Sequence, residues 1–263
     1  MFLLFRIILI LSITGTATAL LLIILKPVTS KHFSAKWQYY IWIVVLITLV
    51  FPVPIKSQKS QAKIPPPPFL MPAVYDGVSE ISGDVEDVVY QDENTHKNPA
   101  WRTLVSYAWL LGMCIYLLSA LVSYWHFLAK KKSISRKANI DISSIAQHVG
   151  VKKIPPVRIS ADQSPPMLVG VIRPVIYLPD RNIEECLNLV LMHELMHYKR
   201  HDLLYKWAAL VINGIHWFNP AVYIVTANIN EACEISCDIE VTKNMDESEK
   251  KKYMQTILNM IHS

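Results

Sequence analysis

Charge is scarce in this chain and unevenly spread. Only 18% of the 263 residues are Asp, Glu, Lys or Arg, against 52% hydrophobic residues. Four blocks, residues 1–25, 37–53, 104–128 and 203–229, carry almost none. Runs of that length and polarity argue against an ordinary soluble domain, because each approaches the roughly 20 residues that cross a bilayer as a helix. Cysteine is rare too. Cys114 lies in an apolar block, and Cys186, Cys233 and Cys237 lie in the C-terminal part, a placement that speaks against a disulfide framework. There is no internal repeat and no basic stripe of the kind that binds DNA. The net charge of +5 comes largely from Lys and Arg flanking the apolar blocks, where anionic lipid headgroups account for it. The expected contacts are membrane lipids, with no direct nucleic acid.

The first block has some features of a signal peptide: Arg6 precedes an apolar run, and Ala17-Thr18-Ala19 resembles a cleavage site. The run continues past it to Leu25, however, and a second block follows a short basic loop, so residues 1–55 read as a retained transmembrane hairpin. Lys26, Lys31 and Lys36 lie in that loop, and Lys130-Lys131-Lys132, Arg136 and Lys137 follow the third block. The segment between, residues 56–101, is Pro-rich at Pro65-Pro66-Pro67-Pro68 and then acidic, with Asp76, Glu80, Asp84, Glu86, Asp87, Asp92 and Glu93. Positive charge stays on the cytoplasmic side. The expected layout is therefore an external N-terminus, an extracytoplasmic loop at 56–101, a third transmembrane helix at 102–129 and a cytoplasmic domain over 130–263.

Within that domain, residues 140–149 suggest a short helix. Val157-Arg158-Ile159-Ser160 and Val175-Ile176-Tyr177-Leu178, set between Pro and Gly, suggest strands of a small antiparallel sheet. Asn182 with Glu185 forms a capping box, and apolar Leu187, Val190, Leu191 and Leu195 follow at helical spacing, predicting a helix over 183–200.

That helix carries His193-Glu194-Leu195-Met196-His197. Histidines four apart share one helix face and can grip a single ion. Glu194, between them, can reach a water on the metal instead of the metal itself, and zinc lowers that water's pKa enough for a carboxylate to take its proton. Downstream, Glu231, Glu234 and Asp238 lie near one another on a second predicted helix, with Glu234 and Asp238 on one face. They offer a third ligand.

The sequence here resembles the BlaR/MecR-type membrane metallopeptidases, the antirepressor family of bacterial beta-lactam resistance. The resemblance covers most of the chain: the layout of apolar blocks, Leu178-Pro179, the stretch from His193 through Tyr198-Lys199-Arg200-His201-Asp202, then Trp217-Phe218-Asn219-Pro220, and Glu234-Ile235-Ser236-Cys237-Asp238. It implies a mainly α membrane protein with a small cytoplasmic α+β gluzincin-like zinc peptidase domain. It further implies Zn2+ on His193, His197 and Glu234, Glu194 as general base, and Asp238 orienting a histidine ligand. The implied protein substrate is a BlaI/MecI-like repressor, with a homodimer left open. Relatives that sense beta-lactams carry an external penicillin-binding domain after a further membrane helix, and neither precedes Ser263 here.

Glu231 competes as third ligand, with Cys237 and Cys233 behind it because a peptidase site takes oxygen or nitrogen there. His201 reads as a surface residue and His216 as a weak candidate for transition-state stabilisation. The rival functions are a general membrane-protein quality-control metallopeptidase and a non-catalytic signalling scaffold. One geometric constraint applies to all of these. A straight span over 203–229 would leave His197 and Glu234 about 30 Å apart, so the block must turn back, and Asn219-Pro220 is the expected break. A re-entrant hairpin and a core helix of the domain both satisfy this. A strand from residues 167–178 is expected to pair with an extended substrate.

Overall fold

The computed structural model describes residues 1–51, 100–162, 164–180 and 187–261. Almost all of the loop expected at 56–101, the Asn182/Glu185 capping pair and Cys186 lie outside them. Helix α1 (Phe2–His32) and helix α2 (Ala35–Val50) form an antiparallel hairpin. The turn is set by Ser34, whose side chain accepts from the Trp37 backbone N–H at 3.3 Å and so caps α2. The two helices approach closely where α1 carries Gly15, since a Cβ there would collide with the Leu49 side chain. Helix α3 (Ala100–Ser133) is longer than the 102–129 expected from composition, and it runs on through the triple lysine directly to strand β1 (Ser135–Lys137). Lys131 can be buried there because its ammonium meets Asp162 Oδ2 at 2.6 Å and also contacts Ser164.

The sheet departs from the sequence reading. Strands β2 (Val157–Ser160), β3 (Met167–Val169) and β4 (Val175–Pro179) join β1 in the order β1-β2-β4-β3. β1 pairs antiparallel with β2 and β3 antiparallel with β4, but β2 pairs parallel with β4, Val157 opposite Ile176. The sheet is therefore mixed, not antiparallel. The cause is the order of pairing: β3 and β4 form a local hairpin whose bend uses Gly170 at φ 99, and β4 then inserts beside β2 with β3 outermost. Among the described residues, no strand pairs with the outer edge of β3.

Helix α4 (Ser143–Val149) and helix α5 (Leu187–Arg200) cover the sheet. Helix α6 (Asp202–Ile215) and helix α7 (Pro220–Thr242) divide the fourth apolar block between them, and helix α8 (Glu247–Ile261) closes on α5. The block turns back at residues 216–219. Asn219 caps α7 by accepting from Ala221 N–H at 2.9 Å, Pro220 takes the first helical position, and the Asn219 amide donates to Ser12 Oγ at 2.7 Å and Thr16 Oγ1 at 2.8 Å on α1.

Two apolar cores result. One, in the bundle, packs Trp42, Val45 and Leu49 of α2 between Ala209 and Ile212 of α6 and Val222, Val225 and Ile229 of α7. The other joins Val157, Ile176 and Leu178 of the sheet to Val190, Leu191 and Leu195 of α5, Cys237 and Val241 of α7 and Tyr253 of α8. α7 belongs to both. Among the described residues, α1 and α3 are long and apolar enough to cross a membrane, and α2 is a shorter apolar helix. Leu3, Ile13, Ile24, Leu104, Leu111 and Trp125 stand exposed along α1 and α3, an apolar surface that water would penalise and lipid would not.

Asn219→Ala removes a helix cap and leaves two α1 hydroxyls without their partner. It is expected to lower stability by about 1–2 kcal/mol, read as a lower thermal transition of the detergent-solubilised protein. An unchanged transition would show that other contacts hold the tip.

Candidate metal centre

On α5, Val190, His193, Glu194 and His197 recur at the spacing of one helix face and line a cavity of about 360 Å³. The sheet-facing Leu191 and Leu195, both fully buried, fix the rotation of the helix. α5 ends at His201, an exposed residue with left-handed backbone at φ 58, ψ 35. This sharp joint folds Asp202, the first residue of α6, back beneath α5, where its Oδ2 accepts from His197 Nδ1 at 2.7 Å. Asp202 is only 1% exposed, and its charge sits at a helix N-terminus that favours it.

His193 is anchored in a parallel manner from the other side. Tyr253 of α8 donates to Asp238 Oδ1 at 2.6 Å, and the Tyr253 hydroxyl is 2.8 Å from His193 Nδ1, itself 3.2 Å from Asp238. With acceptors at both Nδ1 atoms, each imidazole carries its proton there and turns a bare Nε2 lone pair inward. The two Nε2 atoms are 3.0 Å apart. Glu234 Oε2 on α7 lies 3.5 Å from the first and 3.3 Å from the second.

Three electron-rich atoms converging in this way require a cation among them. Donors bound to one tetrahedral ion at about 2.0–2.1 Å stand roughly 3.4 Å from each other, so the set fits a metal, with the cavity left as the open side. Burial alone would lower the His197 pKa, but the Asp202, Cys237 and Glu234 side chains outweigh it and raise it to about 11. Burial would likewise raise the Glu234 carboxyl, yet the two imidazoles and Lys206 hold it well below the usual carboxylate range. Burial does prevail at Glu194, whose carboxyl is pushed up despite the imidazoles and the Leu168 backbone beside it.

His193, His197 and Cys237 also form a group with donor atoms within 4.8 Å of each other. Cys237, however, stands 3.7 Å from His193 Nδ1, the nitrogen turned away from Glu234, and its thiol donates to the His193 carbonyl at 3.6 Å. The remaining sequence candidates lie elsewhere. Glu231 pairs with Lys26 at 2.6 Å, Cys233 is buried in the bundle core, and His216 is buried at the α6–α7 turn with Nε2 3.0 Å from Leu49 O.

Sequence reading missed three residues of the centre. Asp202 had a local signal, an acid five positions past His197 at a helix joint. Lys206, one turn further on, donates to Glu234 Oε1 at 3.1 Å. Tyr253 had no sequence signal, because it reaches His193 only through the return of α8.

The sequence pattern of the BlaR1 peptidase M56 family matches residues 6–263. Among curated proteins, the chain is 32% identical over 158 residues to regulatory protein BlaR1 of Bacillus licheniformis, covering 57% of this chain and 26% of that protein. It is 24% identical over 263 residues to the methicillin resistance mecR1 protein of Staphylococcus aureus, covering 94% and 44%. A BlaR1 regulatory protein of the same species is 23% identical over 265 residues, covering 92% and 43%. The chain spans less than half the length of these relatives.

Two outcomes are expected from this geometry. A metal entering the centre displaces a proton from His197, whose pKa the facing carboxylates and thiol raise, so its affinity should weaken as the pH is lowered; chelator competition at several pH values measures the slope, and a flat profile would contradict the displacement of a proton. At the α5–α6 joint, His201→Ile forces a β-branched residue into left-handed backbone and should cost about 1–2 kcal/mol, whereas His201→Gly should leave the thermal transition in place or raise it.

Proposed function

The chain belongs to the BlaR1 peptidase M56 family, and from that premise we propose that it is a membrane-bound zinc endopeptidase. His193, His197 and Glu234 would hold Zn2+, and Glu194 would act as general base. The observation that carries the proposal is the convergence of His193 Nε2, His197 Nε2 and Glu234 Oε2 within 3.0–3.5 Å, next to a buried carboxylate and an open cavity. Asp238 with Tyr253, and Asp202, orient the two imidazoles. Glu234 is preferred over Cys237 because it faces the free nitrogens and because two imidazoles and a carboxylate, with a fourth position open, suit hydrolysis.

When bound, zinc supplies Lewis acidity to the scissile carbonyl and to the attacking water. Glu194 accepts a proton from that water as its oxygen bonds to the carbonyl carbon. It then delivers the proton to the amide nitrogen as the C–N bond breaks. Burial raises the Glu194 carboxyl above the ordinary carboxylate range and so strengthens it as a proton acceptor. Lys206 keeps the second oxygen of Glu234 occupied and so directs Oε2 at the imidazoles.

The cavity is bounded on one side by Pro165, Pro166, Met167 and Leu168. The outer edge of β3 offers main-chain hydrogen bonds to an extended peptide. The substrate is accordingly a protein segment, and in keeping with the family a BlaI/MecI-like cytoplasmic repressor. The apolar exposure of α1 and α3, with α2 beside them, supports a multi-pass membrane location, and the lysines at the ends of α1 and α3 nearest the centre support a cytoplasmic active site.

The test uses the full chain in lipid nanodiscs. Near one zinc per chain is expected, with cleavage of a BlaI/MecI-type repressor. Glu194→Gln should retain the metal and lose cleavage by about 10²–10⁴-fold. Metal-free protein, or full cleavage by Glu194→Gln, would sink the proposal. Cleavage of unfolded proteins with the repressor left intact would replace the repressor with a quality-control role.

A further inference from the structure

The centre is supported by a residue from the N-terminal hairpin. Tyr39 lies on α2, far from the motif in sequence, and its hydroxyl donates to Asp202 Oδ1 at 2.9 Å. The other oxygen of that carboxylate accepts from His197 Nδ1 at 2.7 Å. Tyr39, Asp202 and His197 are all buried, so the chain Tyr39 Oη–Asp202–His197 is closed to water, where loss of one member leaves its partner's oxygen unsatisfied. The tyrosine ring is fixed as well: the Arg200 guanidinium stacks over it at 4.4 Å, and Tyr205 meets it edge-on with centroids 5.2 Å apart. Arg200 Nε forms an ion pair with the same oxygen, Asp202 Oδ1, at the longer distance of 3.5 Å.

We propose that Tyr39 is a positioning residue for the metal centre: acting through Asp202 it fixes the orientation of His197, so that the seating of α2 against α6 sets how tightly the centre holds its ion. The inference rests on the reading of His193, His197 and Glu234 as zinc ligands. It adds a regulatory input to that reading. An Asp202 carboxylate held at Oδ1 by Tyr39 and at Oδ2 by His197 has one orientation; without the tyrosine hydroxyl only the longer Arg200 contact remains at Oδ1, the carboxylate can turn, and the His197 ring turns with it. Partners behind metal-bound imidazoles are worth about 10–100-fold in affinity when removed. A displacement of α2 that lengthens the Tyr39 contact would therefore weaken the centre without touching a ligand.

The experiment compares the detergent-purified full chain with its Tyr39→Phe, Tyr40→Phe and His197→Ala variants. Zinc affinity is measured by chelator competition, and ligand geometry by the visible absorption of the cobalt-loaded protein. Tyr39→Phe keeps the ring and its stacking. It is expected to bind one ion per chain about tenfold more weakly, with a shifted cobalt spectrum. Tyr40→Phe removes a hydroxyl from the exposed neighbouring residue on the same helix and should leave both readouts unchanged. Unaltered affinity and spectrum in Tyr39→Phe, or an equal loss in Tyr40→Phe, would overturn the inference. His197→Ala separates the two levels. If it keeps its zinc, the ligand assignment falls and takes the inference with it; if it loses zinc while Tyr39→Phe binds normally, only the inference falls.

Discussion

The structure depends on a closure constraint: His197 and Glu234 must meet, although most of the chain between them is an apolar block. Local preference cannot achieve this, since a continuous helix would carry the two apart at 1.5 Å per residue. The turn at residues 216–219 solves it, and the turn has to be fixed among apolar helices at the end of the bundle, where unpaired backbone groups are costly. Asn219 meets that demand by capping α7 with its carbonyl oxygen while its amide binds Ser12 and Thr16. Trp217 donates its indole N–H to Trp109 O at 3.2 Å, and Trp109 donates its own to Ile215 O at 2.9 Å, tying α3 to the turn. Gly112 gives the Trp217 ring room, since a Cβ there would strike the indole. The far tip of the hairpin thus helps to bring His197 and Glu234 together at its near end.

At that near end electrostatics takes over. Asp202 and the Tyr253–Asp238 pair each draw a proton to Nδ1 and expose a lone pair at Nε2, and the convergence of those lone pairs with a carboxylate creates the need for a cation. None of the three donor atoms is free to turn away, because each has a partner behind it. Lys206 supplies that partner for Glu234. A histidine pair alone would be a weak, adaptable site; this arrangement is preorganised, so little ordering remains to be done when the ion binds.

The parts legible in the sequence are those whose geometry is local. Helical spacing placed His193, Glu194 and His197 on one face, and the same periodicity ended α5 at Arg200, where the structure ends it. The position of the turn could be inferred from Asn219-Pro220 because capping and proline chemistry act over a few residues. Glu231 and Glu234 could not be distinguished by type, as both are glutamates one turn apart; only the packing of α7 against α1 sends Glu231 to Lys26 and leaves Glu234 to the imidazoles. Strand direction was misread for a similar reason. Alternation identifies a strand but not its neighbour, and β4 pairs with β2 in parallel only because the β3–β4 hairpin inserts as a unit. Tyr253 and Tyr39 were invisible, being contributed by helices at opposite ends of the chain.

The hairpin of α1 and α2 grips α7 on both sides of Glu234. Lys26 pairs with Glu231 and Lys36 with Glu240 at 2.6 and 2.7 Å, but these pairs are solvent-exposed and worth about 0–1 kcal/mol each. Such contacts align the elements without locking them. The buried hydrogen bond of Tyr39 to Asp202 is of another kind, since it has no water to substitute for a lost partner, and the packing of Trp42, Val45 and Leu49 between α6 and α7 holds it in register. The apolar exterior of the bundle and the polar interior of the centre are therefore joined at one carboxylate. A small shift of α2 against α6 would be felt at His197 before it was felt anywhere in the sheet, because the sheet makes its contact with the centre through β3 and the backbone beside Glu194, on the opposite wall of the cavity.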